Sequence, residues 1–277
     1  MNFSNKVCLI TGAGSGIGRQ LATSLSNEGA KLVVSDIDEN ALNETARLVE
    51  LAHGEDCSVV DVTEYSEVQT YIDGAFSRHG KIDYLFNNAG IAVAADARDY
   101  DISHWRKVVE VNLMGVIHGC DVAYKLMSKQ GYGHIVNISS LSGLVPFPTN
   151  VPYAATKHAV LGLSTSLRVE GEALGVKVSA VCPGFVESNI YSATESINLD
   201  RDKFLNAELP FKKVPTEEAV RRILTGVKKN KGIIVFPFYA VMAWLLYRMS
   251  SIFQRKVSRG LIAQFRRIRK TEIHERH

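Results

Sequence analysis

Val7-Cys-Leu-Ile-Thr-Gly-Ala-Gly-Ser-Gly-Ile-Gly18 is the stretch that decides the fold of this chain. Its first five residues form an apolar run that predicts a buried strand, and the residues from Arg19 to Glu28 predict a helix. A glycine loop between a strand and a helix directs backbone N–H groups and a helix N-terminus at a phosphate. The spacing is Thr-Gly-x-x-x-Gly-x-Gly rather than Gly-x-Gly-x-x-Gly. The predicted phosphate loop therefore depends on Gly12, Gly16 and Gly18, with Ser15 and Ile17 between them.

Strand patterns alternate with helical patterns along the rest of the chain. After the first strand, apolar runs begin at Lys31, Ser58, Ile82, Gly133, Val176 and Gly232. Such alternation predicts an α/β protein with a single Rossmann-type, doubly wound parallel sheet of seven strands. The right-handed crossover rule and two mononucleotide halves predict the strand order 3-2-1-4-5-6-7. We expect one dehydrogenase-like domain over residues 1–237, followed by a helical extension over 238–277.

The composition is that of an ordinary globular protein. The chain has 277 residues, 46% of them hydrophobic, and a formal net charge of +3. Four scattered cysteines have no metal-ligand spacing, so we expect free thiols, a reducing compartment and no metal site. We see no signal peptide, no apolar run long enough for a confident membrane span and no nucleic-acid-binding motif. These observations predict a cytoplasmic location.

Asp36 ends the second predicted strand, where a carboxylate can accept hydrogen bonds from the adenosine ribose and repel a 2′-phosphate. Neither Ser15 nor Ile37 offers a cation to hold that phosphate, whereas Arg19 lies nearby with an ambiguous role. The pattern favours NAD over NADP. Asp36 can instead cap the following helix, and both roles can coexist.

Two further strand ends carry candidate cofactor contacts. Asp61 and Val62 are placed to border the adenine, although Asp61 can also serve only as a local loop hydrogen-bonding group. The fourth strand ends in Asn87-Asn88-Ala89-Gly90, whose small and amide residues can close the strand end and approach the cofactor. The two asparagines can also be purely structural.

Tyr153 and Lys157 are candidates for proton transfer. Pro152 and the small residues after it suit the first turns of a helix. Positions four apart share a helix face, so the phenol and the ammonium can point into one cavity. A nearby ammonium favours phenolate and is expected to lower the pKa of the phenol from about 10 towards neutrality. Tyr153 would then exchange a proton with an alcohol or a ketone.

Taken in order, these motifs resemble the short-chain dehydrogenase/reductase family over about residues 6–236. The matching elements are Thr11–Gly18, Asp61-Val62, Asn87–Gly90, Asn112, Ser139-Ser140, Tyr153-x-x-x-Lys157 and Pro183-Gly184.

The resemblance implies a role for each matching residue. Tyr153 would be the general acid/base, Ser140 would hold the reacting oxygen, and Lys157 would also bind the nicotinamide ribose. Asn112 would hold a water that links Lys157 to solvent. The turn from Pro183 and Gly184 through Val186 to Ser188 would contact the nicotinamide, with Ser188 standing where the family usually has threonine.

We expect two segments to form the substrate pocket, residues 141–151 and a lid over about 185–211. Their apolar side chains favour a lipophilic secondary alcohol or ketone, but they can equally serve only to pack the lid on the sheet. The leading interpretation is an NAD-dependent alcohol dehydrogenase/ketone reductase that forms a homodimer or homotetramer. The alternatives are an NADP-dependent reductase of acyl-chain or other carbonyl intermediates, and a dinucleotide-sensing or scaffold protein.

The C-terminal extension combines apolar residues at helical spacing with a strong positive charge. From Arg248 onward there are nine Lys/Arg and two Asp/Glu, a net charge of +7. A basic amphipathic segment can lie on an anionic membrane surface. It can also cover the active site or pack on a partner subunit.

Overall fold

A seven-stranded parallel sheet flanked by helices is the centre of the molecule. The computed structural model describes residues 2–51, 56–188, 190–200, 203, 212–250, 258–260, 262–263, 265–267 and 269. The main-sheet strands are β1 (Val7–Thr11), β2 (Lys31–Asp36), β3 (Cys57–Val59), β4 (Tyr84–Asn87), β6 (Gly133–Ile138), β7 (Val176–Pro183) and β9 (Ile233–Phe236). Their spatial order is β3-β2-β1-β4-β6-β7-β9. With main-sheet strands alone counted, this is the predicted order 3-2-1-4-5-6-7.

The helices cover both faces of this sheet. They are α1 (Gly16–Asn27), α2 (Glu39–Leu48), α3 (Tyr65–His79), α4 (Ile102–Val109), α5 (Gly115–Gln130), α6 (Val151–Gly171), α7 (Ile190–Ala193), α8 (Thr216–Lys228) and α9 (Phe238–Met249). Alternation along β1 explains the two layers. Cys8 and Ile10 join the apolar core on one face, and Val7 and Leu9 join the core on the other. A continuous apolar run is therefore required in this strand, as parallel sheets covered on both faces demand.

Two local features differ from the sequence prediction. A second, two-stranded parallel sheet pairs β5 (Val93–Ala94) with β8 (Glu195–Ser196), so the segment after Gly90 is joined to the lid. The helical stretch from Ile102 to Gln130 is not one regular α-helix, because a π-helical turn, Glu110–Met114, lies between α4 and α5. A π turn accommodates one extra residue in a helix and is frequent at functional sites. The 3.6-residue periodicity of the sequence gives no sign of it.

The C-terminal extension packs back on the domain at two places. On one side of α9, Trp244 and Tyr247 pack with Leu144, Val145, Ala180 and Cys182. Farther along, Phe265 is buried against Ala94 and Leu199. Residues 201–202 and 204–211 of the predicted lid lie outside the described residues, as do 251–257 and 270–277 of the extension. No helix within the described ranges is long and apolar enough to cross a membrane.

Candidate active site

The glycine loop after β1 has no room for side chains. Gly12 and Gly16 have φ angles of 66° and 51°, in the left-handed region that favours glycine. A Cβ atom on Gly12 would lie 2.7 Å from the Ala89 Cα, and one on Gly18 would lie 2.0 Å from the Gly12 carbonyl oxygen. These contacts explain why the sequence has glycine at all three positions. Ser15 is the N-cap of α1, and Ile17 lies in its first turn, so the loop opens directly into a helix N-terminus.

Asn88 braces this loop from β4. Its side-chain Nδ2 donates to the carbonyl oxygens of Thr11 and Gly12, at 3.1 and 2.8 Å, and its backbone N–H donates to the Thr11 hydroxyl at 3.1 Å. The Ala89 N–H donates to the same hydroxyl at 3.3 Å. Asn88 and Ala89 thus fix the shape of the phosphate loop. Through Gly12 they bring two strand ends together at the carboxyl edge of the sheet, where such sheets bind ligands.

Asn87 has a different role from its neighbour. Its side chain is buried and donates to the Asn137 Oδ1 at 2.8 Å, inside the layer between β4, β6 and α5. A Cβ atom on Gly119 of α5 would lie 2.2 Å from the Asn87 Oδ1. Asn87 therefore has a structural role between these elements, and its contact with the cofactor stays a prediction.

The Asp36 carboxylate closes the far side of the glycine loop. It accepts hydrogen bonds from the backbone N–H groups of Gly14, at 2.7 Å, and Asp38, at 3.0 Å. The cap of α2 is Asp38, which accepts from the Ala41 N–H, so the alternative helix-capping role belongs to the neighbour. Each carboxylate oxygen has a second lone pair, so Asp36 can accept further donors from a ribose.

Arg19 is held by α2 and the glycine loop. Its guanidinium donates to the carbonyl oxygens of Gly14 and Ala41 and to the Thr45 hydroxyl, and it pairs with Glu44 at 2.9 Å. These four partners draw the cation towards α2. The ambiguity left by the sequence is thereby reduced, because a guanidinium with these partners is less available to a 2′-phosphate.

Asp61 and Val62 lie just beyond β3, which ends at Val59 rather than at the predicted Val62. The Asp61 Oδ1 accepts from the backbone N–H and the hydroxyl of Thr63, at 2.9 and 2.8 Å. This is the local hydrogen-bonding role foreseen as the alternative for Asp61. Val62 packs against Gly115 of α5, where a Cβ atom would lie 2.8 Å from the valine side chain.

Ser140, Tyr153 and Lys157 converge at the carboxyl end of β6. The Ser140 hydroxyl lies near enough to the Tyr153 phenol to oppose the rise of its pKa, and the Lys157 Nζ lies 5.4 Å from the centroid of the Tyr153 ring. Lys157 is buried, and its Nζ donates to the Ile138 carbonyl oxygen at 2.8 Å. Proline in the first turn of α6 and the 3.6-residue repeat place both side chains on one side of that helix.

The pKa values at this cluster are set mainly by burial. Burial raises the pKa of Tyr153 to about 12, and the Ser140 hydroxyl acts in the opposite direction. Burial also lowers the pKa of Lys157 to about 8. The expected fall of the Tyr153 pKa towards neutrality is therefore not found in the protein without its cofactor. Desolvation of the phenol outweighs the ammonium, whose own positive charge is disfavoured by the same burial.

Asn112 lies in the π turn and is fully buried. Its Oδ1 accepts from the Ile91 N–H and its Nδ2 donates to the Ile91 carbonyl oxygen, both at 2.8 Å. A Cβ atom on Gly90 would lie 3.2 Å from the Asn112 Oδ1 and 3.5 Å from the Lys157 Nζ. Asn112 and Lys157 thus meet at Gly90, and a side chain there would press on both. The family role of Asn112 in holding a water stays a prediction.

The turn after β7 depends on a residue that the sequence analysis missed. The Gly184 N–H donates to the Phe236 carbonyl oxygen at 2.7 Å, and the Phe185 N–H donates to the Tyr239 Oη at 2.7 Å. A Cβ atom on Gly184 would lie 2.4 Å from that same hydroxyl oxygen. Tyr239 of α9 therefore anchors the turn that leads from Pro183 and Gly184 to Val186 and Ser188. Tyr239 stands two residues after Pro237 and is visible in the sequence, but its partner Phe185 is 54 residues away.

The predicted pocket wall over residues 141–151 divides into two parts. Leu144 and Val145 are buried beneath α9 and serve as packing. Phe147 instead meets the Phe185 ring edge to face, at 6.2 Å between centroids. The beginning of the lid is fixed to the segment that follows the lid, since Val186 pairs with Val214.

Comparison with known proteins agrees with this geometry. Residues 6–198 match the family model described as short chain dehydrogenase. A Mycobacterium tuberculosis protein called oxidoreductase SadH is 35% identical over 272 residues, which cover 95% of this chain and 98% of that protein. An uncharacterized oxidoreductase of Thermotoga maritima is 35% identical over 79% of this chain and 88% of its own length.

Solved structures show the same similarity. The crystal structure of a short chain dehydrogenase/reductase from Burkholderia phymatum, in complex with NAD, has a TM-score of 0.82 and 30% identity. It covers 92% of this chain and 96% of that chain. Levodione reductase has a TM-score of 0.72 and 29% identity over 84% of this chain and 95% of its own.

Proposed function

This chain belongs to the short-chain dehydrogenase/reductase family of NAD(P)-binding oxidoreductases, and from that premise we propose that it transfers a hydride between NAD(H) and a lipophilic secondary alcohol or ketone. The observation that carries the proposal is the convergence of Ser140, Tyr153 and Lys157 beside Gly90 and Asn112. The phenol of Tyr153, the hydroxyl of Ser140 and the ammonium of Lys157 thus lie at the carboxyl edge of the sheet. The glycine loop lies at the same edge.

The residues present fit a dinucleotide. The glycine loop packs closely on Ala89 and opens directly into the N-terminus of α1, where backbone N–H groups can hold a phosphate. When bound, the nicotinamide supplies the hydride acceptor or donor. In oxidation, Ser140 holds the alcohol oxygen and Tyr153 accepts its proton as the C–H bond gives up a hydride. In reduction, Tyr153 returns a proton to the oxygen while the carbonyl carbon gains the hydride.

Lys157 would assist this proton transfer by its charge and by binding the nicotinamide ribose. The Tyr153 pKa of about 12 in the free protein makes the phenol a proton donor in the physiological range. A positive charge near the ring favours phenolate. The oxidised cofactor brings such a charge, so we expect the tyrosine to become more acidic in that complex.

The preference for NAD rests on Asp36 and on the partners of Arg19. Asp36 presents a carboxylate at the glycine loop, and the guanidinium of Arg19 is held on α2. The lipophilic substrate class rests on Phe147 and Phe185, whose rings meet beside the turn that follows β7. We expect the protein to act as a homodimer or homotetramer.

Contact with a membrane surface is a further part of the proposal. Phe238, Met242, Leu245 and Met249 recur at helical spacing on α9 and are exposed, from 38% for Met242 to 83% for Met249. The opposite side of α9 packs on the domain. An exposed apolar stripe next to a chain segment of net charge +7 has the composition of an interfacial helix.

A screen of hydrophobic secondary alcohols and ketones with NAD(H) and NADP(H) tests the proposed function. The Tyr153→Phe variant serves as the internal control, because it removes only the transferable proton. We expect the variant to lose about 100-fold or more in kcat, the range for general acid/base groups, while NAD binding by calorimetry is retained. Normal turnover by folded Tyr153→Phe protein would exclude this mechanism.

A further inference from the structure

The last described residues of the C-terminal extension, here called the tail, form two ion pairs with one short segment of the domain. The Arg266 Nε lies 2.7 Å from the Asp96 Oδ2, and the Arg269 Nη2 lies 2.5 Å from the Asp99 Oδ1. Both carboxylates are nearly inaccessible, with side-chain exposures of 3% and 6%. The two arginines are three residues apart in the chain, and so are the two aspartates with which they pair. Phe265, adjacent to the first arginine, is buried against Ala94 and Leu199.

The segment that receives these arginines borders the catalytic residues. It follows Gly90, which lies beside Lys157, and Ile91, which is hydrogen-bonded to Asn112. The Ala95 N–H donates to the Thr149 carbonyl oxygen at 3.0 Å, and the Tyr100 hydroxyl donates to the same oxygen at 3.2 Å. Thr149 stands next to Asn150, the N-cap of the helix that carries Tyr153. The segment over residues 93–100 is therefore tied to the wall that precedes the catalytic tyrosine.

The same segment is tied to the lid. The β5 and β8 strands pair, Leu199 bridges to Arg269, and the side chain of Asn198 helps to lower the pKa of Asp99. Hydrogen bonding by Arg269 holds the pKa of Asp99 below its ordinary value. Burial alone would raise the pKa of Asp96, but hydrogen bonds and charge from Arg266 and Arg98 lower it below its ordinary value. Both carboxylates are thus charged at neutral pH and suited to hold a cation.

We infer that Arg266 and Arg269 are positioning residues for the substrate. They hold the tail across residues 93–99 and 195–199, so that the tail fixes the two walls of the alcohol or ketone pocket relative to each other. The inference rests on the proposed function of the same site. The role of this part of the tail is then recognition of the lipophilic substrate, and these two arginines are not free to bind anionic lipid.

The chain offers a matched control. Arg267 lies between the two arginines and is exposed. Within the part of the chain that the structure describes, its guanidinium forms no ion pair. Substitution of Arg267 by glutamine removes one positive charge from the same turn without touching Asp96 or Asp99, which is half the charge change of the double variant. Any effect of net charge alone will appear in this control.

The experiment compares Arg266→Gln/Arg269→Gln with Arg267→Gln in the full chain. By hydrogen–deuterium exchange, peptides over 92–100 and 194–200 should exchange about tenfold faster in the double variant and unchanged in the control, because local opening becomes easier. For a bulky lipophilic alcohol, KM should rise about tenfold while kcat and the KM for NAD stay within about twofold, since only uniform substrate binding is lost.

The two readouts separate the possible failures. Faster exchange in a protein without any alcohol turnover would refute the proposed function but leave the link between tail and pocket walls intact. Unchanged exchange would overturn the inference, as would equal effects of both variants. An increase in the KM for NAD matching that for the alcohol would also overturn it, because the tail would then support the whole domain rather than the substrate walls.

Discussion

At the residue scale, Asp36 shows how a side chain can serve the protein and its ligand together. Its carboxylate orders the glycine loop through Gly14 and leaves lone pairs for a ribose. The sequence could show the acidic residue at the strand end, but not its hydrogen bonds to the loop. The same limit applies to Arg19, whose partners on α2 come from a helix 20 or more residues away.

We predict that kcat/KM is higher with NAD than with NADP. The Asp36→Asn substitution should reduce the ratio of the two kcat/KM values, that of NAD over that of NADP. The amide removes the negative charge but keeps an acceptor for the loop, so the effect should be on the order of tenfold, or about 1.4 kcal/mol. Asp38→Asn is the matched control, since Asp38 is exposed and caps α2. Steady-state kinetics with both cofactors decide the matter. A ratio that is unchanged in Asp36→Asn would remove Asp36 from cofactor selection.

The burial of Lys157 leads to a prediction about how the free energy of unfolding depends on pH. Burial lowers its pKa to about 8, whereas an unfolded lysine titrates near 10.5. Between these values the unfolded chain binds a proton that the folded chain lacks, so folded stability rises with pH in this window. The free energy of unfolding relative to Lys157→Met should increase by about 1–3 kcal/mol between pH 7.5 and 10. Urea titrations at several pH values measure it. If the difference in free energy of unfolding between the protein and Lys157→Met did not change with pH, the lowered pKa of Lys157 would be contradicted.

At the element scale, regular strands and helices were predictable because periodicity reports burial directly. The seven strands and their order follow from apolar runs and crossover handedness. The π turn around Asn112 could not be predicted in this way, since its extra residue changes no hydrophobic pattern. Nor could the β5–β8 pair, because each strand has only two residues and they lie about 100 residues apart in the chain.

The exposed stripe of α9 makes the membrane proposal testable. The full chain should co-sediment with vesicles that contain anionic lipid at low salt, and less at high salt, because salt screens charge. Phe238→Ser/Met249→Ser should reduce binding, since burial of each large apolar side chain contributes about 1.5–3 kcal/mol. Ile102→Ser/Val169→Ser removes equally exposed apolar residues elsewhere and is the control. Equal sedimentation of both double variants would rule out α9 as the contact.

At the scale of the whole molecule, the net charge of the tail overstates how many of its arginines are available to an anionic membrane. Its net charge of +7 counts every arginine as available, but Arg266 and Arg269 each have an aspartate 170 residues earlier. No sequence pattern connects residues so far apart, whereas local motifs such as Tyr153-x-x-x-Lys157 are visible at once. The residues that converge at the candidate site were therefore visible in the sequence, and the contacts that set its shape were not.

The anchoring of Phe185 by Tyr239 also bears on how the protein is made. A ribosome that has just released the turn after β7 must add 54 more residues before the tyrosine exists. At about 5–20 residues per second, that interval is roughly 3–11 s. A nascent chain therefore carries an unfinished turn after β7 for seconds, with the Phe185 N–H still lacking its phenolic acceptor. Biosynthesis thus separates the two halves of the candidate site in time, because the glycine loop is made first and the turn after β7 is completed only when α9 has been translated.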